Sequence, residues 1–325
     1  MRNHVWMSDQ DEIAVPRAAG VRLPWHKVPP AVRAAVEEHL GGRVVEAVTQ
    51  VGGFSPAAAA RLRLADGRRA FVKAVGSEVN PDSRGMYLEE AKISAALPAT
   101  APVPRLLAAF DTDGWVALVF DDVDGRQPAM PWRPDELARV LGALGELARL
   151  PAPPAVPALE DRLARAFTGW RRLAGGEDVT GLHPWAVRHL DALAAIEADW
   201  PLGVAGETLV HADIRADNVL LTGDRVVIVD WAWASRGAAW YDLVQMLPSV
   251  RMQGGPPPQE VLDGHPLGRV ADPGAVTAVV AALAGFMLRM SRRPDPPGLP
   301  SLRAFQRAQG VVALDWLRLR TGWPD

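Results

Sequence analysis

The chain has 325 residues, of which 49% are hydrophobic and 22% charged, with 35 basic and 38 acidic side chains. This length fits two domains or one domain with two lobes, and the apolar fraction excludes global disorder. The net charge of −3 gives no basic surface for nucleic acid, and the absence of cysteine excludes disulfides, thiolate nucleophiles and cysteine-based zinc sites.

No segment predicts a membrane span. The longest uncharged run, residues 273–288, is shorter than the ~18 residues that a transmembrane helix needs, and it opens with Pro-Gly. The first 15 residues are polar and acidic and lack the continuous apolar stretch of a signal peptide. We therefore expect a soluble, cytoplasmic protein with no membrane or nucleic-acid partner; the sequence does not predict its oligomeric state.

The first 120 residues combine strand patterns with two helix patterns. An amphipathic helix is predicted over residues 30–40, ended by Gly41-Gly42, and a second from about Arg84 to Leu97. The Asp66-Gly67 pair between two apolar alternations is typical of a hairpin. Strands are predicted at about 43–49, 59–64, 69–75, 103–110 and 115–120.

After Gly125 the apolar spacing becomes that of helices. Helices are predicted at about 134–150, 158–174, 184–200, 239–247, 273–292 and 299–320, and two short strands at 218–221 and 226–229. Because strands and helices are segregated, the fold class is α+β. We expect an N-terminal β-rich nucleotide-binding lobe at 1–123 and a larger helical catalytic and substrate lobe at 124–325.

The segment with the clearest chemistry reads H-x-D-x-x-x-x-N at 211–218, followed by a hairpin and an aspartate at the end of an apolar strand. Phosphoryl transfer needs a carboxylate that orients the acceptor hydroxyl and takes its proton, and Asp213 fits that role. Asn218 and Asp230 offer the hard oxygen ligands that Mg²⁺ prefers. Arg215 could supply a cation beside the transferred phosphoryl group. If this motif stood alone, its Asp and Asn could simply cap turns. A second set of residues that suits nucleotide binding, however, lies in the N-terminal part of the chain.

That N-terminal half begins with a glycine-containing turn, in which Gly52, Gly53 and Ser55 could approach phosphate oxygens closely. The turn matches neither the Rossmann nor the Walker pattern, and alone it is weak evidence.

Lys73 lies within a predicted strand, and only three of the 35 basic residues in the chain are lysine. A lysine here suits the α- and β-phosphates, with a glutamate on the next helix to hold it. Glu90 is the preferred partner because it aligns with Ile93 on the inward helix face; Glu89 is the alternative.

Together these motifs resemble the aminoglycoside phosphotransferase/choline kinase family, the small-molecule branch of the protein-kinase-like fold. The resemblance runs from about Val45 to Leu247. It rests on Gly-Gly-Phe-Ser at 52–55, Phe-Val-Lys at 71–73, Glu-Ala at 90–91, Val-Pro-Arg-Leu-Leu at 103–107, the motif at 211–218, Val-Asp-Trp at 229–231 and Trp-Tyr-Asp-Leu at 240–243.

The resemblance implies a bilobal fold with ATP or GTP bound between the lobes. The nucleotide base would pair with backbone atoms of Asp121 and Val123, and Asp242 would brace the catalytic loop by hydrogen bonds. By the same resemblance His211 supports the loop backbone rather than acting as a base.

The sequence departs from the family pattern at three positions. Ala212 stands where the family commonly has glycine, a change from which we expect little effect. Pro56 removes one amide that could face a phosphate. Arg215 stands where the family frequently has histidine. A protein kinase is disfavoured because the chain reads Asp-Trp-Ala, not Asp-Phe-Gly, at 230–232.

The acceptor is less well defined. An antibiotic of aminoglycoside or related type, as in antibiotic resistance, is the leading class, with choline, an amino alcohol or a sugar as the alternative. A nucleotide-binding regulatory protein that catalyses no turnover is the third possibility.

Residues 124–325 carry 21 basic and 23 acidic side chains, and this small net charge would not attract a polycation strongly. Trp233 could stack on a substrate. Acidic pocket candidates, each also readable as a surface or capping residue, are Glu160, Asp161, Glu197, Asp199 and Glu207.

Overall fold

The computed structural model describes residues 20–77 and 81–325. Its N-terminal part contains helices α1 (Pro30–Leu40) and α2 (Pro81–Ala96) and strands β1 (Val44–Thr49), β2 (Ala58–Leu64), β3 (Arg69–Gly76), β4 (Leu106–Thr112) and β5 (Trp115–Asp121). The strands form one antiparallel sheet in the order β1-β2-β3-β5-β4. The sequence predicted these elements to within a few residues, including the hairpin at Gly67, whose φ is 88°.

Strand β4 begins three residues later than predicted. Pro102 and Pro104 precede it and cannot donate to a strand ladder. The Pro102 carbonyl instead accepts a hydrogen bond from the Ile228 amide at 2.6 Å. The chain before β4 is therefore joined to the helical part of the protein.

The remainder is mostly helical. Its helices are α3 (Pro134–Leu147), α4 (Leu159–Leu163), α5 (Gly169–Ala174), α6 (Pro184–Arg188), α7 (Leu190–Ala198), α8 (Trp200–Gly203), α9 (Tyr241–Met252), α10 (Pro258–Gly264), α11 (Pro266–Val270), α12 (Pro273–Met290) and α13 (Leu302–Thr321). Strands β6 (Thr208–Val210) and β9 (Ser235–Gly237) pair with each other, and β7 (Val219–Leu221) pairs with β8 (Val226–Ile228). A sheet-bearing N-terminal part and a helical C-terminal part confirm the α+β class; the boundary between residues 123 and 124 stays a prediction.

Tertiary packing accounts for the helices that the sequence misplaced. The predicted helix 158–174 is two helices, and Gly169 at the start of the second lies so close to α12 that an added Cβ would be 2.1 Å from the Gly285 carbonyl carbon. The predicted helix 184–200 is three, α6 to α8. Helix α9 continues through Pro248 because nearly every residue in it is buried.

Within the described residues, α12 is the one helix that is long and apolar enough to span a membrane, with a mean hydropathy of 1.6. Its apolar residues pack against α5, α7, α8 and α13 in the largest hydrophobic cluster. Core packing therefore explains its composition.

Helix α2 connects the two parts of the protein. Ile93 on α2 is fully buried in a cluster with Ile214, Ile228 and Trp231 from the helical part. The helix that carries Glu90 is thereby fixed next to the segment that carries the H-x-D motif.

Candidate active site

A cavity of about 490 Å³ lies between the five-stranded sheet and the helical part. The glycine turn at 52–53, Lys73, Glu90, the connector at 121–123, Asn218 and Asp230 all line it. Three other predicted residues do not: Ser55, Asp213 and Arg215 are absent from its wall. Asp213 nevertheless lies next to the cavity, because Asn218 contacts it directly.

The loop that carries Asp213 is held by Asp242 on helix α9. The Asp242 carboxylate accepts hydrogen bonds from the amides of His211 at 2.7 Å and Ala212 at 2.8 Å. Asp242 is buried, so these bonds are shielded from water. The prediction that Asp242 braces this loop is confirmed.

His211 supports the same loop through both ring nitrogens. Its Nδ1 accepts from the Asp213 amide at 3.2 Å, and Nε2 lies 3.0 Å from the Val229 carbonyl, which fits a proton on Nε2. Complete burial lowers the pKa of His211 and favours the neutral ring. The imidazole is therefore occupied with backbone groups, as expected for a structural histidine.

Ala212 adopts a left-handed conformation, with φ of 63°. This region is costly for a residue with a Cβ and is where glycine is favoured. The alanine at this position therefore carries backbone strain, while its amide still bonds to Asp242. The expectation that Ala212 does little harm stays a prediction.

The carboxylate of Asp213 is held by two neighbours. Arg215 Nη1 makes short hydrogen bonds to both of its oxygens, and Asn218 Nδ2 donates to Oδ2 at 3.3 Å and to the Asp213 carbonyl at 2.9 Å. Burial raises the pKa of Asp213 to about 6, since the charge of Arg215 offsets only part of the desolvation. The group is thus mainly ionised at neutral pH with a pKa near the range useful for a base.

Arg215 is shared between two carboxylates. Its Nε and Nη2 bind Asp217 Oδ1 and Oδ2, both at 3.0 Å, while Nη1 binds Asp213. Asp217 also lines the cavity and was not among the predicted site residues. The guanidinium face lies 5.6 Å from the centre of the Phe54 ring in the glycine turn.

Lys73 on β3 joins the two sides of the cavity. Its Nζ lies 2.9 and 2.7 Å from the two Glu90 oxygens and 3.0 Å from Asp230 Oδ1. Glu89 instead binds Arg162 at 3.1 Å. The prediction that Glu90, not Glu89, pairs with Lys73 is therefore confirmed. Burial opposes the charge of Lys73, yet Asp230 and Glu90 outweigh it and leave the lysine pKa raised.

Asp230 follows β8 with a φ of 69°, and this turn directs its carboxylate to Lys73. Burial opposes ionisation of Asp230, but the charge of Lys73 prevails and lowers its pKa to about 2. Burial raises the pKa of Glu90, which competes with Asp230 for the same ammonium group.

Within the described residues no group of three His, Cys, Asp or Glu side chains could hold a metal ion. The amide oxygen of Asn218 and the Asp230 carboxylate remain as hard donors, a set that suits Mg²⁺ when phosphate oxygens and water complete its shell.

The glycine turn needs its glycines. Gly52 and Gly53 have φ values of 99° and 73°, which side-chain-bearing residues rarely adopt. Ser55 Oγ lies 3.4 Å from the Tyr87 hydroxyl, and Ser55 is not part of the cavity wall. The turn is also tied to the helical part, because the Phe54 ring packs edge-on against Phe305 at 5.0 Å.

The connector between the two parts presents few free backbone atoms. The Asp121 amide donates to the Arg105 carbonyl at 3.0 Å. The Val123 carbonyl accepts from the Gly125 amide at 2.9 Å and from Arg61 Nη2 at 2.8 Å. The Val123 amide has no hydrogen-bond acceptor within residues 20–77 and 81–325.

Trp233 differs from its two sequence neighbours. Trp231 and Trp240 are buried, and Trp231 Nε1 donates to the Ile228 carbonyl at 2.8 Å. Trp233 lines a second, open cavity of about 600 Å³ together with Glu89 and Asp161.

Among the acidic candidates, Asp161 is the one that lies near Trp233. Glu197 is buried and accepts from the amides of Trp170 and Arg171, both at 3.0 Å, which makes it a helix cap. Glu207 pairs with Arg236 on the surface at 2.7 Å.

Comparisons with known proteins identify the family and the fold. The model of the phosphotransferase enzyme family matches residues 48–262, about two thirds of the chain. This match confirms the family resemblance. A comparison with curated proteins finds no match.

Several solved structures share the fold at low sequence identity. A choline/ethanolamine kinase family protein from Mesorhizobium loti has a TM-score of 0.57 and 19% identity, covering 89% of this chain and 94% of its own. Choline kinase LicA from Streptococcus pneumoniae has a TM-score of 0.59 and 12% identity, covering 88% and 98%. The amicoumacin kinase hAmiN, solved with AMP-PNP, Ca²⁺ and its ligand, has a TM-score of 0.52 and 10% identity, covering 87% and 93%. At these identities the similarity establishes the protein-kinase-like fold.

Proposed function

We propose that this chain, which belongs to the phosphotransferase enzyme family, transfers the γ-phosphoryl group of a nucleoside triphosphate to a hydroxyl group of a small molecule. One observation carries the proposal. Lys73, Glu90 and Asp230 form one ion-pair cluster on the cavity wall, and Asn218 on the same wall contacts Asp213. Such a cluster supplies cation, metal ligands and base within one site, as phosphoryl transfer needs.

The nucleotide would lie in the cavity of about 490 Å³ with its phosphates at Lys73 and the glycine turn. The backbone of Gly52 and Gly53 would approach the phosphates, while Ser55 would shape the turn through Tyr87. Glu90 would hold Lys73 in position. The base would meet the connector at Asp121 and Val123.

The connector favours adenine over guanine. The Val123 amide is a free donor that suits N1 of adenine, which is an acceptor. N1 of guanine is a donor and needs an acceptor, but the Val123 carbonyl already accepts two hydrogen bonds. ATP is therefore the proposed co-substrate, with GTP as the less favoured alternative.

Asn218 and Asp230 would hold Mg²⁺. When bound, the ion would neutralise charge on the phosphate oxygens. The chain's own part is to keep both donors oriented: Asn218 by its amide group on Asp213, and Asp230 by Lys73.

Asp213 would orient the acceptor hydroxyl and take its proton. The acceptor oxygen bonds to the γ-phosphorus, the bond from that phosphorus to the β–γ bridging oxygen breaks, and the nucleoside diphosphate leaves. Arg215, bound to the same carboxylate, would stabilise charge on the transferred group.

For the acceptor we propose an antibiotic of aminoglycoside or related type, in line with the fold shared with hAmiN, an amicoumacin kinase. The alternative is choline, an amino alcohol or a sugar, in line with the fold shared with a choline/ethanolamine kinase family protein and with choline kinase LicA. The third possibility, a regulatory protein without turnover, is disfavoured because Lys73, Asp213, Asn218 and Asp230 are all in place. A cytoplasmic location belongs to the same proposal.

The test is a panel of aminoglycosides, other antibiotics, choline, ethanolamine and sugars, each incubated with Mg-ATP or Mg-GTP and analysed by mass spectrometry for a phosphorylated product. A phosphorylated antibiotic supports the first acceptor class, and a phosphorylated choline, amino alcohol or sugar supports the second. Mg-ATP binding without any product supports the regulatory protein.

A further inference from the structure

Arg22 is a cation at the nucleotide cavity that no sequence motif indicated. It precedes α1, about 30 residues before the glycine turn, and lines the same cavity as Lys73. Its Nε and Nη2 donate to the Gly52 carbonyl at 3.2 and 2.7 Å. The guanidinium is thereby placed on the glycine turn itself.

Arg22 differs from the other cations on this wall in its pairing with carboxylates. Lys73 pairs with Glu90 and Asp230, Arg61 with Asp122, and Arg126 with Glu136. Arg22 makes no ion pair within the described residues. An anion entering the cavity would therefore find the uncompensated positive charge at Arg22.

One nitrogen of Arg22 also lacks a hydrogen-bond acceptor. Nη1 is buried and has no partner in the described part of the chain. A buried donor without an acceptor is costly, and the cost is greater for a charged group. The guanidinium packs tightly on the turn, since a Cβ added to Gly53 would lie 2.7 Å from Nη2. The unused donor therefore belongs to a group held in place, not to a loose surface side chain.

The segment that carries Arg22 is anchored on both sides. Gly20 packs on the backbone of Ser55, where an added Cβ would lie 2.8 Å from the Ser55 carbonyl oxygen. The Val21 amide donates to the Gly298 carbonyl at 3.0 Å in the loop before α13. These contacts join the glycine turn to the helical part and fix the position of Arg22.

We propose that Arg22 binds the phosphate oxygens of the nucleotide beyond the α-phosphate; this inference rests on the proposed function. It also offers a reason why the turn tolerates Pro56, which removes one amide donor: Arg22 supplies a charged donor from another part of the chain. Charge-assisted bonds of arginine to phosphate are stronger than those of neutral amides.

The experiment compares the affinities of AMP, ADP and ATP, each with Mg²⁺, for the wild-type protein and three variants by calorimetry. Arg22→Gln removes the charge, and Arg22→Lys keeps it without the forked donors. Arg33→Gln is the matched control, because Arg33 also binds a backbone carbonyl, that of Val28 at 3.0 Å, but lies on α1 outside the cavity.

We expect Arg22→Gln to weaken ADP and ATP binding by about tenfold or more, with AMP changed much less. Arg22→Lys should fall between it and the wild type, and Arg33→Gln should match the wild type. Equal losses for AMP and ATP would mean that Arg22 only supports the turn, and unchanged ATP affinity in Arg22→Gln would also overturn the inference. If the wild-type protein binds no nucleotide, the proposed function fails and this inference fails with it.

Discussion

Lys73 Nζ lies 3.0 Å from Asp230 Oδ1, although the two residues are 157 positions apart in the chain. The same ammonium group lies 2.7 Å from Glu90 Oε2. One lysine thus joins the sheet, helix α2 and the turn after β8. The cluster sets the distance between the two walls of the cavity, and the proposed phosphate and metal sites depend on it.

Replacing Lys73 by alanine should lower the free energy of unfolding by roughly 3 kcal/mol, because two carboxylates then lose their shared cation. The effect should lie at the low end of the range for buried pairs, since Glu90, whose pKa is raised, can take up a proton. Urea unfolding measures it.

The control is Lys92→Ala, which removes an exposed lysine from the same helix as Glu90. It should change the free energy of unfolding by less than about 0.5 kcal/mol. Because the unpaired glutamate binds its proton more tightly in the folded state than in the unfolded state, the loss in Lys73→Ala should shrink as the pH falls. A loss that is equal in both variants, or independent of pH, would argue against the buried cluster.

The rate of phosphoryl transfer should depend on the ionisation of Asp213. The carboxylate must be deprotonated to accept a proton, and burial places its pKa at about 6. At saturating nucleotide, kcat/KM for the acceptor should therefore rise with pH and level off at higher pH, once Asp213 is ionised. A pH titration of initial rates measures it. A rate that falls as the pH rises from 5 to 7 would contradict a carboxylate base.

Ala212→Gly should stabilise the protein by about 0.5–1 kcal/mol. Glycine adopts the left-handed conformation at this position without the steric cost that alanine has, and the gain exceeds the entropy that glycine adds to the unfolded chain. Thermal or urea unfolding measures the change. Ala216→Gly, at a nearby buried alanine outside the left-handed region, should destabilise the protein instead. Destabilisation by both substitutions would mean that the backbone at Ala212 is not strained.

ATP should bind at least about tenfold more tightly than GTP, because guanine would leave a donor opposite a carbonyl that is already occupied. Competition binding measures the ratio. Arg61→Met frees one acceptor position on the Val123 carbonyl and should narrow the ratio through tighter GTP binding. Arg63→Met, which removes an exposed arginine from the same strand, should leave it unchanged. Equal affinities of the wild-type protein for ATP and GTP would rule out base selection by Val123.

Most of the site could be predicted because its residues occur in short motifs. The helical register of α2 identified Glu90, and the spacing from Asp213 to Asn218 and Asp230 placed three polar groups together. Contacts between segments that are far apart in the sequence are not marked by any short motif. Arg22 reaches the glycine turn from a segment with no motif of its own, and Ser55 turns toward Tyr87 because of packing that spacing does not reveal.

The same limit applies to the helices. Residues 158–174 carry one continuous apolar pattern, yet the chain bends before Gly169 to pack on Gly285. Periodicity reports which residues are buried but not where a helix must end to meet its neighbour. The left-handed backbone at Ala212 was likewise invisible, because alanine carries no mark of that conformation.

The most direct test of phosphoryl transfer compares the wild-type protein with Asp213→Asn across the acceptor panel, with Mg-ATP affinity measured on the same preparations. We expect at least one acceptor to be phosphorylated by the wild-type protein. Asp213→Asn should lose about a hundredfold to ten-thousandfold in rate while Mg-ATP affinity is retained. Transfer by Asp213→Asn at a rate close to that of the wild-type protein would contradict the role of Asp213 as the base.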